Sequence, residues 1–407
     1  LAYTPDTAAY TPARGVERAL RILQILPAGE YGGAESQVLS LCVGLVARGC
    51  DVRIVAFANG EFVKRALSAG LTVSVLQGGH PLTDARAVRA QIAKWRPDLI
   101  HTHGVRASLA GRSVGKRQAI PVVTTVHSDL YYDYASPLKQ TLFMALEAVT
   151  RSASTRVIAV SRALLDVLRQ RGYAEKQLIL IENGMDIEQA ERQLAAARLE
   201  ARPLREELQL PLQAQLIVCV ARLHPVKRHD VLLDAFAQLP SSIEEPVHLV
   251  LVGEGAEREQ IVQRIATYGE AVAKRIHLLG ARTDVFAVLQ AADVFALTSQ
   301  MEGLPISVLE AMLAGLPVIA SRTGGLIDLV VEQKEAATMQ PTGQLFPVGD
   351  VQALVEALGS LLGDAKRRQR WGASGRARVV QHYSLEQMTD ITLRCYKEIG
   401  TADLPVK

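Results

Sequence analysis

Three groups of residues have the types and spacing to hold an anionic, hydroxyl-rich ligand. Arg222 and Lys227, in Ala-Arg-Leu-His-Pro-Val-Lys-Arg, follow the apolar run Leu216–Val220. Two cations placed just past the carboxyl end of a strand can flank a diphosphate, Arg as a planar fork and Lys as a point charge. Glu302 and Glu310 bracket Gly303-Leu304-Pro305-Ile306. Pro305 suits the first turn of a helix, and Gly315 suits its end. The free amides of Gly303, Leu304 and Ile306 would then point out of the helix start, where the dipole favours an anion. A carboxylate, an amide nest and a second carboxylate fit a ligand with hydroxyls at both ends and phosphate between them. A capped helix with two surface glutamates, beside an ordinary basic loop, would leave the same sequence pattern.

The first half carries weaker signals of the same kind. Gly32-Gly33-Ala34-Glu35 follows the apolar run Ile22–Leu26 and opens a helix, but lacks the full G-x-G-x-x-G pattern. His127 ends the strand-like run Val122–Val126, which would aim it into a cleft or into a turn hydrogen bond. His101 and His103 share one face of a strand, as a metal pair would. No third ligand at suitable spacing accompanies them, and Asp-x-Asp does not occur, so no metal is expected. Gly324-Gly325 would let backbone approach a ligand closely.

Positioning these residues takes a regular scaffold. Short Val- and Ile-rich runs alternate with helix-length segments throughout, which argues for parallel sheets covered on both faces. A polar stretch, Asp186–Leu210, separates two such series. The expectation is an α/β chain of two Rossmann-like doubly wound domains facing across a cleft. Residues 1–17 are expected to be a disordered tail, 18–185 the first domain, 186–383 the second, and 384–407 a terminal helix returning to the first.

Hydrophobic residues make up 49% of the 407, enough for two cores, and no apolar run is long enough to span a bilayer. Four dispersed cysteines, without a C-x-x-C pair or a signal-like start, point to reduced thiols in the cytoplasm. Net charge is +3, yet residues 53–117 hold 11 basic and 3 acidic residues.

The ordered motifs resemble those of retaining family 4 glycosyltransferases, the glycosyl transferase group 1 with the GT-B fold. They are Gly-Gly-Ala-Glu at 32–35, Val-Ile-Ala-Val-Ser at 157–161, Glu-Asn-Gly-Met-Asp at 182–186, and Arg222 with Lys227. They continue through Leu-Val-Gly-Glu-Gly at 251–255, Leu-Leu-Gly-Ala-Arg-Thr-Asp at 278–284, Glu302 with Glu310, and Leu-Ala-Gly-Leu-Pro-Val at 313–318. The resemblance implies transfer of a sugar from a nucleotide-diphosphate sugar, a co-substrate, with no other cofactor. Arg222 and Lys227 would neutralise the diphosphate. Glu302 would hold sugar hydroxyls, with Gly303, Leu304 and Pro305 against the donor and Glu310 on the ribose. Leu279, Gly280 and Ala281 would meet the base, Gly33 would admit the diphosphate, and His127 would sit by the transferred sugar.

Two departures qualify the match. Ile327-Asp328 stands where Pro-Glu is frequent, and Leu304-Pro305 stands in place of Phe-Gly, as in members that resemble polysaccharide-building enzymes. A lipid-linked saccharide acceptor at the cytoplasmic face of the membrane is therefore expected. The basic excess would meet anionic lipid through Phe62–Leu67, Arg86–Arg96 and Arg106–Arg117. Nucleic acid is not expected, since aromatic residues amount to 5% and offer few stacking platforms. The alternatives are a transferase with a small soluble acceptor, another nucleotide-sugar enzyme on this architecture, and a catalytically silent sugar-nucleotide-binding partner.

Overall fold

The computed structural model describes residues 18–402 except 30, 77–78, 80, 133–135, 200–203, 212, 241–242, 244 and 333–339. The expected tail, 1–17, lies outside the described residues. Two wholly parallel sheets organise the chain. The first has the order β3-β2-β1-β4-β5-β6-β7, and the second β10-β9-β8-β11-β12-β13. In the first sheet, β1 is Arg21–Leu26, β2 Asp51–Ala56, β3 Thr72–Val75, β4 Leu99–His103, β5 Val122–Val126, β6 Arg156–Ala159 and β7 Leu178–Leu180. In the second, β8 is Gln215–Val220, β9 Val247–Val252, β10 Ile276–Gly280, β11 Val294–Leu297, β12 Val318–Ser321 and β13 Gly343–Phe346.

The central strands are short and β-branched because both faces are covered. Every residue of β4, β11 and β12 is buried. Helices join successive strands, as parallel pairing requires. In both sheets the strand order reverses once, between β1 and β4 and between β8 and β11. Loops leaving the carboxyl ends at such a reversal diverge, and the crevice between them is where doubly wound sheets bind ligands.

The two halves are tied together near residue 185. Met185 donates its amide to the Tyr383 carbonyl at 2.9 Å, and Leu385 donates to the Met185 carbonyl at 2.8 Å. The last helix, Leu385–Ala402, then lies on the first half, against the helix Gly33–Ala47. Its Leu385, Met388, Cys395, Tyr396 and Ile399 are buried in the core of the first sheet. At up to about 1.5–3 kcal/mol for each large apolar side chain, this docking makes the helix a fixed part of the first domain.

Candidate functional site

The loops at the two reversals bring the expected residues to one place. Gly32-Gly33 follows β1, and Arg222 and Lys227 follow β8. His103 ends β4, His127 follows β5, and Glu302 follows β11. A β-carbon on Gly32 would stand 3.8 Å from Cδ and Nε of Arg222, and one on Gly33 would stand 3.7 Å from Ile306 Cγ1. The glycine loop of the first domain thus faces the cation loop and helix start of the second at van der Waals distance.

Lys227 and Glu302 form the best-defined pair of the site. Lys227 Nζ lies 2.5 Å from Glu302 Oε1, and the Ser299 hydroxyl donates to the same oxygen at 2.5 Å. Both partners are largely buried, so the attraction is little screened by water, although desolvating the two charges offsets part of it. Glu302 Oε2 makes no hydrogen bond among the described residues. Arg222 is exposed at the mouth of the crevice.

The helix Ile306–Leu313 starts at this pair. Pro305 is its N-cap, one position earlier than its residue type suggested, in an extended conformation with φ −73° and ψ 121°. The ring fixes φ but leaves ψ free, so proline serves the cap as well as the first turn. Asn183 Nδ2 donates to the Leu304 carbonyl at 2.8 Å and pins the helix start to the first domain. Gly303 packs more tightly still. A β-carbon there would meet the His127 carbonyl oxygen at 1.9 Å.

Glu310 lies on the second turn of this helix. Burial without a cation beside it pushes its carboxyl up to about 7. Leu279 and Gly280 end β10, and exposed Ala281 follows. At about 4.8 Å per strand, β10 lies roughly 10 Å along the sheet edge from β8. That separation suits an extended ligand whose phosphates lie by Arg222 and Lys227.

On the first domain, His127 Nε2 lies 3.0 Å from His103 Nδ1, and its own Nδ1 is buried without a partner. Desolvation lowers the His127 pKa to about 4, so its ring is neutral. His127 lines a cavity of about 150 Å³ with Glu35, Ser128, Leu130, Glu147 and Arg171. His101 and His103 turn away from metal-binding geometry into hydrogen bonds with Thr125, Tyr396, Gln24 and His127. Among the described residues no group of three or more His, Cys, Asp or Glu could hold a metal ion.

Two further segments gain a structural role, and one expectation needs correction. Gly324-Gly325 does bring backbone close, but to the protein itself: β-carbons there would stand 1.9 Å from the Glu302 and Gly303 carbonyl oxygens. The pair buttresses the 302–303 loop. Asp328 spans the domains: its Oδ2 accepts from the Arg162 amide at 2.9 Å, at the start of the helix Arg162–Gln170.

The correction concerns the basic clusters. Phe62, Val63, Ala66 and Trp95 are buried, so the apolar sides of those helices belong to the core and not to a lipid interface. Arg106 pairs with Asp84 at 2.6 Å, and Arg112 is buried against Ser154, Thr150 and Tyr173. Lys64, Arg86, Arg89, Lys94, Arg96, Lys116 and Arg117 remain exposed. Exposed apolar side chains are Leu67 on the helix Glu61–Ser68 and Leu138, Leu142 and Val149 on the helix Pro137–Thr150.

Ser299, Asn183 and Gln24 escaped the reading of the sequence for function. Each acts on a site residue through a contact distant in sequence or through an ordinary polar side chain. Asn183 was visible only as part of Glu-Asn-Gly-Met-Asp.

Comparison with known proteins bears on the whole chain. The family model described as glycosyl transferases group 1 matches residues 200–378, and glycosyltransferase family 4 matches residues 31–189. The chain is 27% identical over 377 residues to the D-inositol 3-phosphate glycosyltransferase of Xylanimonas cellulosilytica, covering 86% of this chain and 88% of that one. It is 26% identical over 393 residues to the phosphatidyl-myo-inositol mannosyltransferase of Mycobacterium leprae, covering 92% and 96%. In fold it resembles Anabaena Alr3699/HepE solved with UDP and glucose, with a TM-score of 0.78 and 23% identity over 95% of this chain and 100% of that one.

Proposed function

We propose, from the premise that this chain belongs to the group 1 glycosyl transferases and has their GT-B fold, that Arg222, Lys227, Glu302 and the 303–306 helix start hold the donor. The protein is a glycosyltransferase that uses a nucleotide-sugar donor. The observation that carries the assignment is the Lys227–Glu302 pair, set at a helix start and facing Gly33 and the His127 carbonyl across the cleft.

The chemistry follows from where charge develops. As the glycosidic bond to phosphate breaks, negative charge grows on the leaving nucleoside diphosphate. Arg222, Lys227 and the amides of the helix start stabilise it. Lys227 then shares its charge between the phosphate and Glu302, while Glu302 Oε2 accepts from a sugar hydroxyl. Glu302 Oε1 is committed to Lys227 and Ser299. The retention that the family resemblance implies would then come from the acceptor attacking on the face the phosphate leaves and giving its proton to that phosphate. Gly33 admits the diphosphate, His127 sits beside the sugar, Glu310 takes the ribose hydroxyls, and the base rests on Leu279–Ala281.

No cofactor and no divalent ion enters this scheme, because the cations supply the counter-charge. Turnover undiminished by a chelator supports it, whereas loss on chelation with recovery in magnesium or manganese refutes it.

The acceptor we assign is a lipid-linked saccharide used in cell-surface polysaccharide synthesis, met at the cytoplasmic face of the membrane. Among the described residues no helix is long and apolar enough to cross a membrane. Contact would be peripheral, through the exposed cations of the helices Pro81–Trp95 and Val105–Gln118 and the apolar face of Pro137–Thr150. The first of these helices packs on the second, and the second on the third. Flotation on vesicles tests this: binding should need anionic lipid, fall with salt, and weaken when Arg86, Arg89, Lys94 and Arg96 are neutralised. Absence of flotation at low salt removes the membrane assignment and leaves donor chemistry untouched.

A further inference from the structure

A buried polar chain runs from the last helix to the cleft. Tyr396 Oη bonds His101 Nδ1 at 2.6 Å, and His101 Nε2 bonds Thr125 Oγ1 at 2.7 Å. Gln24 Oε1 accepts from His103 Nε2 at 2.8 Å, while its Nε2 is buried and makes no hydrogen bond among the described residues. His103 Nδ1 in turn meets His127 Nε2 at 3.0 Å, with the two rings stacked at 5.3 Å. Gln24, His101, His103, Thr125 and Tyr396 are all buried, so water does not satisfy them.

The proton positions along this chain follow from one group. A carboxamide oxygen can only accept, so His103 Nε2 carries the hydrogen. Desolvation holds His103 well below its usual pKa and His127 at about 4, so each ring is neutral and has a single N–H. His103 Nδ1 is then a lone pair, and His127 Nε2 must donate to it. His127 Nδ1 is left as a lone pair, buried and bonded to nothing among the described residues. An orphaned acceptor of this kind carries a desolvation cost unless a ligand satisfies it.

We propose that Gln24 and His103 are positioning residues that hold His127 in its Nε2–H tautomer, so that Nδ1 accepts a hydrogen bond from a hydroxyl of the bound substrate. The proposal rests on the reading of His127 as facing substrate. Gln24 acts two residues removed, by deciding which nitrogen of His103 is protonated. Turning its amide over would reverse each proton along the chain and present an N–H to the cleft, which repels a hydroxyl hydrogen and serves only an acceptor.

Two-bond 15N–1H correlation spectra of the full chain labelled at histidine nitrogen test the assignment directly. Wild-type protein at neutral pH should show His127 as Nε2–H with an unprotonated Nδ1. Gln24→Met should give a mixture of tautomers and lower kcat about tenfold, with the donor KM within about twofold. If Gln24→Met does not fold, His103→Phe keeps a stacked ring without nitrogens and should also mix the tautomers. An Nδ1–H signal for His127 in the wild type overturns the proposal, as does Gln24→Met with unchanged tautomer and kcat. A wild-type Nε2–H signal combined with full activity of His127→Ala overturns its premise instead, so the two failures are distinguishable.

Discussion

The α-carbon of Gly303 rests against the carbonyl oxygen of His127, so close that a β-carbon would stand 1.9 Å from it. This contact joins the helix start of one sheet to the strand end of the other, and it fixes the width of the cleft. The partner is backbone, which cannot swing aside. Gly303→Ala should therefore force the loops apart at a cost of about 1–3 kcal/mol. Turnover should fall at least about tenfold while circular dichroism shows a folded protein. A Gly303→Ala enzyme with wild-type turnover would mean that the contact does not set the geometry of the site.

The two donor cations should separate by their effect on stability. Lys227 neutralises a buried carboxylate, whereas Arg222 is exposed. Each substitution by Ala should cost about 1.5–3 kcal/mol of transition-state stabilisation, read from kcat/KM. Only Lys227→Ala should also lower Tm markedly, because it strands Glu302, and breaking a buried pair costs about 3–5 kcal/mol. Lys227→Ala combined with Glu302→Gln should recover much of that Tm but not the activity. Equal Tm values for the two single variants would argue against a buried pair.

Much of this arrangement was legible in the sequence. The alternation of β-branched runs and helix-length segments specified two parallel sheets, because only strands covered on both faces need such runs. The order Arg222, Lys227, Glu302, Glu310 marked the second domain's share of the site, since chemistry at strand ends leaves a trace in local spacing. Contacts between distant segments left none. Gln24 sits inside a strand, Ser299 is an unremarkable serine, and Asp328 reaches Arg162 across 166 residues. The apolar sides of the basic helices were misread for the same reason. Phe62, Val63 and Trp95 have the spacing of an interfacial helix, and equally that of a helix turned toward its own core.

The pH dependence of Glu310 has a definite sign. Burial raises its folded pKa from 4.5 to about 7. Its contribution to folding is complete below about pH 4.5 and is lost as pH rises through 7, because ionisation in a dry site is penalised. Hydrogen bonds from ribose hydroxyls favour the ionised form and so lower that pKa on binding. Affinity for the nucleoside diphosphate should rise about fivefold across neutrality in the wild type, given the greater strength of charge-assisted hydrogen bonds. It should be flat in Glu310→Gln, whose thermal stability should also lose the decline between about pH 4.5 and 7. Calorimetric titrations at several pH values read both, and equal slopes in the two proteins would remove Glu310 from the nucleoside site.

Glu302 and Glu310 should also differ in what they recognise. Glu302→Gln should weaken the sugar-bearing donor by at least about tenfold and the bare nucleoside diphosphate little. Glu310→Gln should weaken both. Competition binding with the two ligands checks this, and equal loss of both in Glu302→Gln would reverse the proposed orientation of the donor.

The most direct test is turnover of a panel of nucleotide sugars by purified wild-type protein and by the Arg222→Ala, Lys227→Ala double variant. Release of nucleoside diphosphate from at least one donor, with or without added acceptor, is the predicted result. The double variant, still folded, should then be slower by at least about a hundredfold. Unchanged release by the double variant would contradict the central claim that these two cations carry the departing diphosphate.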